Sequence, residues 1–210
     1  MTILREEEHK ALKGIELSGK VLDLGGDKRS EYKNLFVGDF KITTVDINPK
    51  ADPDITANLE EPLPIADASY DAALLINVLE HIYEFKQVIS ETSRVLVSGG
   101  KVVIVVPYMF PNHPSPGDYH RFSQTALEKL LNAAGFEEIE VKALGSGVYA
   151  ARLLFLERLL PSSLQNFFAP ISHTVARIND GFMTSIANTS RKKYRASDYA
   201  LGFLVTARKP

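Results

Sequence analysis

The chain has 210 residues, a formal net charge of -2 and no cysteine, a length that suits one domain with a decoration. Near-neutral charge removes the electrostatic case for a nucleic-acid binder, because neutralising phosphates needs a concentrated basic surface; missing cysteines exclude disulfides, thiolate zinc sites and cysteine nucleophiles. Hydrophobic residues make up 45% and charged residues 24%, as in an ordinary soluble globule, and no apolar run approaches the ~20 residues that cross a bilayer.

Residues 3–17 set Leu4, Ala11, Leu12, Ile15 and Leu17 among charges, the spacing of one buried helical stripe. The start, from Met1 to Glu8, lacks the basic and apolar regions of a signal peptide, so a cytoplasmic protein is expected. Residues 20–24 read as a short buried strand, followed by Gly25-Gly26 and by a predicted helix over 30–37. A second strand, 42–46, ends on Asp46 ahead of Asn48-Pro49, and a small strand is expected at 54–56. Residues 70–76 form a continuous apolar strand of the kind that parallel sheets bury on both faces.

Apolar spacing predicts a helix over 85–97, closed by Gly99-Gly100, and then a valine-rich strand over 101–107. Ser123 caps a helix through Ala134, Gly135 ends it, and 138–144 is the next strand. Residues 148–198, rich in Leu and Phe in their first half, read as a helical insertion before a last strand over 199–208. The expected division is therefore a core at 1–147, an insertion at 148–198 and the core's final strand at 199–210. Strands alternating with helices indicate an α/β, doubly wound sheet with its ligand crevice at the carboxyl ends of the strands.

Chemistry concentrates at those ends. Gly25-Gly26 directly after a buried strand allows a tight turn and close approach to a ligand. A nucleotide phosphate would suit such a turn, but Asp23 at the strand end repels pyrophosphate and can accept from an ammonium group. Asp46 stands about 20 positions further on, where a carboxylate can accept both ribose hydroxyls. A nicotinamide-dependent reductase is disfavoured, because the spaced G-x-G-x-x-G pattern is missing.

On Asp23-Leu24-Gly25-Gly26, Asp46, Asn58-Leu59, Leu63-Pro64, Asp71 and Asn77-Val78-Leu79-Glu80-His81, the chain resembles the class I S-adenosylmethionine-dependent methyltransferases. The resemblance covers roughly residues 18–145 and 199–208. It implies a Rossmann-like, mostly parallel seven-stranded sheet whose last strand is antiparallel, with S-adenosyl-L-methionine as cofactor. It also implies binding by Asp23, Leu24, Gly25, Gly26, Asp46, Ile47, Asn58, Leu59, Asn77, Val78 and His81. Two positions depart from the family pattern: Asp27 stands where a further glycine is common, and Asn58 replaces an acid that receives the adenine amino group.

The loop from Tyr108 to Phe122 holds His113, Asp118, Tyr119, His120 and Arg121 just beyond the fourth long strand. The expectation is that His113 or His120 is a general base while Asp118, Tyr119 and Arg121 orient a polar acceptor. Equally, Asp118 and Arg121 can pair to anchor the loop. The His-Pro, Asp-Tyr and Arg-Phe succession is similar to that of bacterial methyltransferases of glycan or polysaccharide pathways, implying a small polar, sugar-derived acceptor for methylation on oxygen or nitrogen. A quinone or lipid-like acceptor, or a non-catalytic binding module, are the alternatives.

No metal is expected, since nothing makes His113, Asp118 and His120 converge. Residues 148–198 are read as a substrate cap, or as a contact with a second copy or a membrane surface. The basic run Arg191-Lys192-Lys193 with Arg195 reads as a solvated loop or helix end, with a phosphate or lipid-headgroup contact as the alternative.

Overall fold

The computed structural model describes residues 1–28, 30–115, 117–145, 147–157, 159–189 and 195–210. The run Arg191-Lys192-Lys193 thus lies outside the described residues. Among the described residues seven strands, β1 Gly19–Leu24, β2 Phe40–Asp46, β3 Ile55–Thr56, β4 Tyr70–Ile76, β5 Leu96–Pro107, β6 Glu137–Leu144 and β7 Gly202–Arg208, make one sheet ordered β3-β2-β1-β4-β5-β7-β6. Neighbouring strands from β3 to β5 pair in parallel, and β7 runs antiparallel to both β5 and β6. The expected Rossmann-like sheet with an antiparallel last strand is the observed one.

Period-two alternation divides each central strand between two cores. Val102, Ile104 and Val106 of β5 face one way, against α2 (Phe85–Val95) and α3 (Gln124–Ala133). Val103 and Val105 face the other way, against α1 (Ile3–Leu12), α4 (Val148–Glu157) and α5 (Ser162–Thr189). Fully burying a side chain such as Leu75 or Ile104 stabilises the fold by about 1.5–3 kcal/mol. The insertion helices therefore complete the layer that α1 begins.

Side chains set the ends of these elements. The Ser123 hydroxyl accepts from the Ala126 amide at 3.3 Å, giving α3 its cap. Asp180 of α5 accepts from the Tyr149 and Ala150 amides, both at 2.9 Å, and so caps α4 from another helix. Glu91 and Arg94 of α2 tie down the segment after β3: Glu91 accepts the Leu63 amide at 2.8 Å, and Arg94 reaches the Ile65 carbonyl at 2.7 Å and Asp67 at 2.6 Å. That pair is why Leu63-Pro64-Ile65 takes a fixed course.

Two elements differ from their predicted form. Where a helix was expected over 30–37, a 3-10 turn covers Glu31–Leu35, so the glycine turn is not followed by an α-helical N-terminus. Tyr32 gives its hydroxyl to Asp23 at 2.9 Å, and no side chain caps the segment; a stretch this short gains too few hydrogen bonds to repay helix nucleation. The helix expected over 85–97 ends at Val95, because Leu96 is already extended and paired with Tyr70. Gly99-Gly100 then lies inside β5 at a register irregularity, with Gly99 at φ +77°.

Candidate active site

The turn after β1 is built by contacts that leave no room for side chains. Gly25 has φ +78°, donates its amide to the Val45 carbonyl at 2.7 Å, and would place a Cβ 2.5 Å from Val78 Cγ2. A Cβ on Gly26 would meet the Asp23 carboxylate at 1.9 Å. Both glycines are therefore required by packing.

Asp23 lies under this turn, fully buried, accepting the Tyr32 hydroxyl at 2.9 Å with the Lys33 ammonium 3.6 Å away. Burial pushes its carboxyl up to about 6 against the opposing pull of Tyr32 and Lys33.

Beside the turn, at the carboxyl ends of β1, β2 and β4, opens a cavity of about 350 Å³. Gly25, Asp46, Ile47, Asn58, Leu59, Asn77, Val78 and His81, eight of the eleven residues expected to hold a cofactor, line it. Asp23, Leu24 and Gly26 do not; they shape the turn from behind. Asp46 at the end of β2 orients its carboxylate through the Asn48 amide at 2.7 Å. The Asn58 carbonyl accepts the Glu60 amide at 3.1 Å and its amide group donates to Glu61 at 3.1 Å, so part of its hydrogen-bonding capacity is already used locally.

Asn77 sits at φ +55°, one of the few non-glycine residues in the left-handed region, and donates its side-chain amide to Glu8 at 3.3 Å. The sequence reading missed Glu60, Ile82 and Ser115, which also line this cavity. Glu60 holds the Tyr83 and Glu84 amides at 2.8 and 3.1 Å.

A second cavity, of about 280 Å³, adjoins the first through Asn77, His81 and Ser115. Its remaining lining includes Arg5 and Glu8 of α1, Pro107, Phe110 and His113. The N-terminal helix was not expected here. One signal was available: Glu8 stands four residues from both Leu4 and Leu12, an acid inside the buried stripe, and it is 2% exposed. Burial pushes its carboxyl up, against the pull of Arg5 and Asn77.

The loop after β5 divides its labour. Asp118 and Arg121 form a close ion pair, Asp118 also accepts the His113 amide at 2.9 Å, and Arg121 donates to the His120 carbonyl at 2.9 Å. The pair latches the loop, and Arg121's hydrogen bonds hold Asp118 well below the usual carboxylate range despite the opposing effect of burial. Tyr119 lines the first cavity. His120 lines neither; it packs against Phe85 at 4.6 Å between ring centroids and meets the Tyr83 carbonyl at 3.2 Å.

His113 lines the second cavity, and its Nδ1 faces the Pro111 carbonyl at 3.1 Å. Burial, set against the nearby Asp118 charge, lowers its proton affinity. His81, which lines both cavities, has its Nδ1 2.6 Å from the Gly117 carbonyl. A carbonyl can only accept, so both rings carry their proton on Nδ1 when neutral and leave Nε2 as a lone pair.

Behind these rings lies Glu80, fully buried, with neither carboxylate oxygen hydrogen-bonded to another of the described residues. Burial pushes its carboxyl up to about 8, opposed by its own backbone amide and by Arg121 and helped by the charges of Glu8 and Asp118. The conceivable trio of His113, Asp118 and His120 is not what converges. Among the described residues, the donors that come together are those of Glu80, His81 and His113.

The sheet order and antiparallel β7 define the Rossmann-like methyltransferase fold. Residues 5–104 match the model of a family described as Methyltransferase domain. A curated protein of Mycolicibacterium smegmatis, described as a probable S-adenosylmethionine-dependent methyltransferase, is 32% identical over 102 residues, 46% of this chain. The match spans 39% of that relative's length.

Among solved structures, the [4+2]-cyclase SpnF superposes with a TM-score of 0.61 at 19% identity, over 98% of this chain and 80% of that one. A Haemonchus contortus phosphoethanolamine N-methyltransferase 2, in complex with phosphomonomethylethanolamine and S-adenosylhomocysteine, gives 0.59 at 17% identity, over 98% and 52%. At such identities the likeness is one of fold.

Proposed function

We propose that this protein is an S-adenosylmethionine-dependent methyltransferase acting on an oxygen or nitrogen of a small polar acceptor, with a sugar-derived one as the first class to screen. The observation that carries the reading is the cavity joining Gly25, Asp46, Leu59 and Val78. Its contents suit the cofactor: a backbone turn that excludes any Cβ, an acid placed for a diol, and apolar Ile47 and Leu59 for a ring. The M. smegmatis relative's description and the Methyltransferase domain match point the same way.

When bound, the cofactor supplies an electrophilic methyl group. The chain's part is to hold the acceptor in line and to receive its proton. The adjoining cavity, with Arg5, Glu8, His81 and His113, is the acceptor's proposed place. His113 is favoured as base over His120, because its ring lines that cavity while its Nδ1 faces the Pro111 carbonyl. Tyr119, at the first cavity, closes over the cofactor side, while Asp118 and Arg121 serve by fixing the loop.

In this reading 1–147 and 199–210 form the cofactor-binding core and 148–198 the insertion. We also propose that the insertion meets a second copy of the chain. Exposed Leu164, Phe168, Ile171, Val175, Ile178 and Phe182 recur along α5 in alternating steps of four and three. No helix among the described residues is long and apolar enough to cross a membrane. A chain without cysteine suits the reducing cytoplasm, the compartment we propose for it.

Calorimetry with S-adenosylmethionine and S-adenosylhomocysteine tests the core of this proposal. Both are expected to bind, and Asp46→Ala to weaken them about tenfold to a hundredfold, as for loss of charge-assisted hydrogen bonds worth about 1.5–3 kcal/mol. No binding by the wild-type chain at millimolar ligand would refute it. Labelled-methyl transfer to sugar-derived, amine and quinone acceptors then identifies the acceptor class, and binding without transfer to any of them favours a regulatory module.

A further inference from the structure

We infer that Glu80, His81 and His113 form a binding site for one divalent first-row transition-metal ion at the floor of the acceptor cavity. Three observations meet there. The donor atoms of the three side chains lie within 4.8 Å of one another, with His81 Nε2 3.7 Å from Glu80 Oε1. Tetrahedral bonds of about 2.1 Å hold donors roughly 3.4 Å apart, so modest side-chain rotation closes the set.

Both imidazoles have their Nδ1 engaged. Each gives its Nδ1 proton to a backbone carbonyl, of Gly117 for His81 and of Pro111 for His113, which leaves Nε2 to coordinate. Such a fixed outer hydrogen bond is the usual support of a metal-binding histidine. His113 has a further support in Asp118, whose carboxylate lies 3.3 Å from its Nδ1.

The third observation is Glu80 itself. It is fully buried, and among the described residues no other residue hydrogen-bonds either of its oxygens. Structures rarely leave a buried carboxyl in that condition, and a cation beside His81 would satisfy it. Two imidazoles and one carboxylate, with no thiolate available, suit Zn²⁺ or Mn²⁺ better than Ca²⁺ or Mg²⁺.

Three protein ligands leave coordination positions open, and His81 and His113 both line the acceptor cavity. The consequence for substrate class rests on the methyltransferase reading. A hydroxyl-bearing acceptor would coordinate the ion, lose its proton to solvent through the cavity, and present its oxygen for methylation. The imidazoles would then hold the metal and leave deprotonation to it.

Equilibrium dialysis of the chelator-treated full chain against Mn²⁺ or Zn²⁺, with elemental analysis, tests the site. One ion per chain is expected, with affinity reduced about tenfold or more in Glu80→Gln, His81→Gln and His113→Gln and retained in His9→Gln. Thermal melts guard against misfolding: added metal should raise the wild-type midpoint and leave that of folded His113→Gln unmoved. Less than one ion per chain, or unchanged binding in His113→Gln, would overturn the inference. S-adenosylmethionine binding, measured separately without metal, tells failure of this site from failure of the proposed function.

Discussion

At the scale of single residues, the turn after β1 rests on exclusion as much as on attraction. Gly25 combines a positive φ with a Cβ position only 2.5 Å from Val78. Gly25→Ala is therefore expected to cost about 1–3 kcal/mol, from left-handed strain plus the clash. Urea denaturation should show Val78→Ala in the same chain recovering the steric part and leaving the strain. A full recovery would mean that the backbone conformation carries no penalty. That Asp46, Asn77 and His81 share one cavity was legible because each closely follows an apolar strand. The presence of Arg5 and Glu8 in the adjoining cavity was not, because it depends on where α1 packs, and the local sequence shows only an acid interrupting a stripe.

At the scale of elements, α5 is docked to the fold by charge. His173 is held between Glu6 of α1 and Glu157 of α4, and Arg177 reaches Glu6 at 3.0 Å and Glu7 at 2.6 Å. Burial alone would raise the Glu6 carboxyl, but hydrogen bonds from His173 and Lys10 and the Arg177 charge bring it down to about 2. An acid whose folded value is depressed contributes stability that is complete above its unfolded value. That contribution is lost as pH falls through the folded value. Urea midpoints measured between pH 5 and pH 2 should thus fall more steeply for wild type than for Glu6→Gln; parallel curves would remove Glu6 from the docking account.

The same scale shows what patterning can tell. Strand β4 was legible to the residue, since its apolar run is continuous and long-range pairing agrees with it. The 30–37 segment misled because its apolar spacing fits a helix, while Tyr32 is engaged by Asp23 across the glycine turn. The end of α2 misled for another reason: helical periodicity continues through Leu96, but pairing with Tyr70 claims that residue for the sheet.

At the scale of the molecule, the row on α5 predicts its assembly. Ile171 is 69% exposed and Ile178 65%, more apolar surface than a lone chain usually leaves open. Analytical ultracentrifugation should give twice 23.3 kDa for the wild type and a single chain for Ile171→Glu with Ile178→Glu. A monomeric wild type that floats with lipid vesicles would assign the row to a membrane surface instead. The antiparallel course of β7 has a practical bearing on such experiments. Because β7 runs against its neighbours, the chain leaves the sheet at the end remote from both cavities, where the Pro210 carbonyl accepts the Ser98 hydroxyl at 2.7 Å. Thr2, by contrast, lines the smaller of the two cavities. Purification handles and reporter fusions therefore belong after Pro210, clear of both cavities, since an extension ahead of Thr2 would start beside one of them.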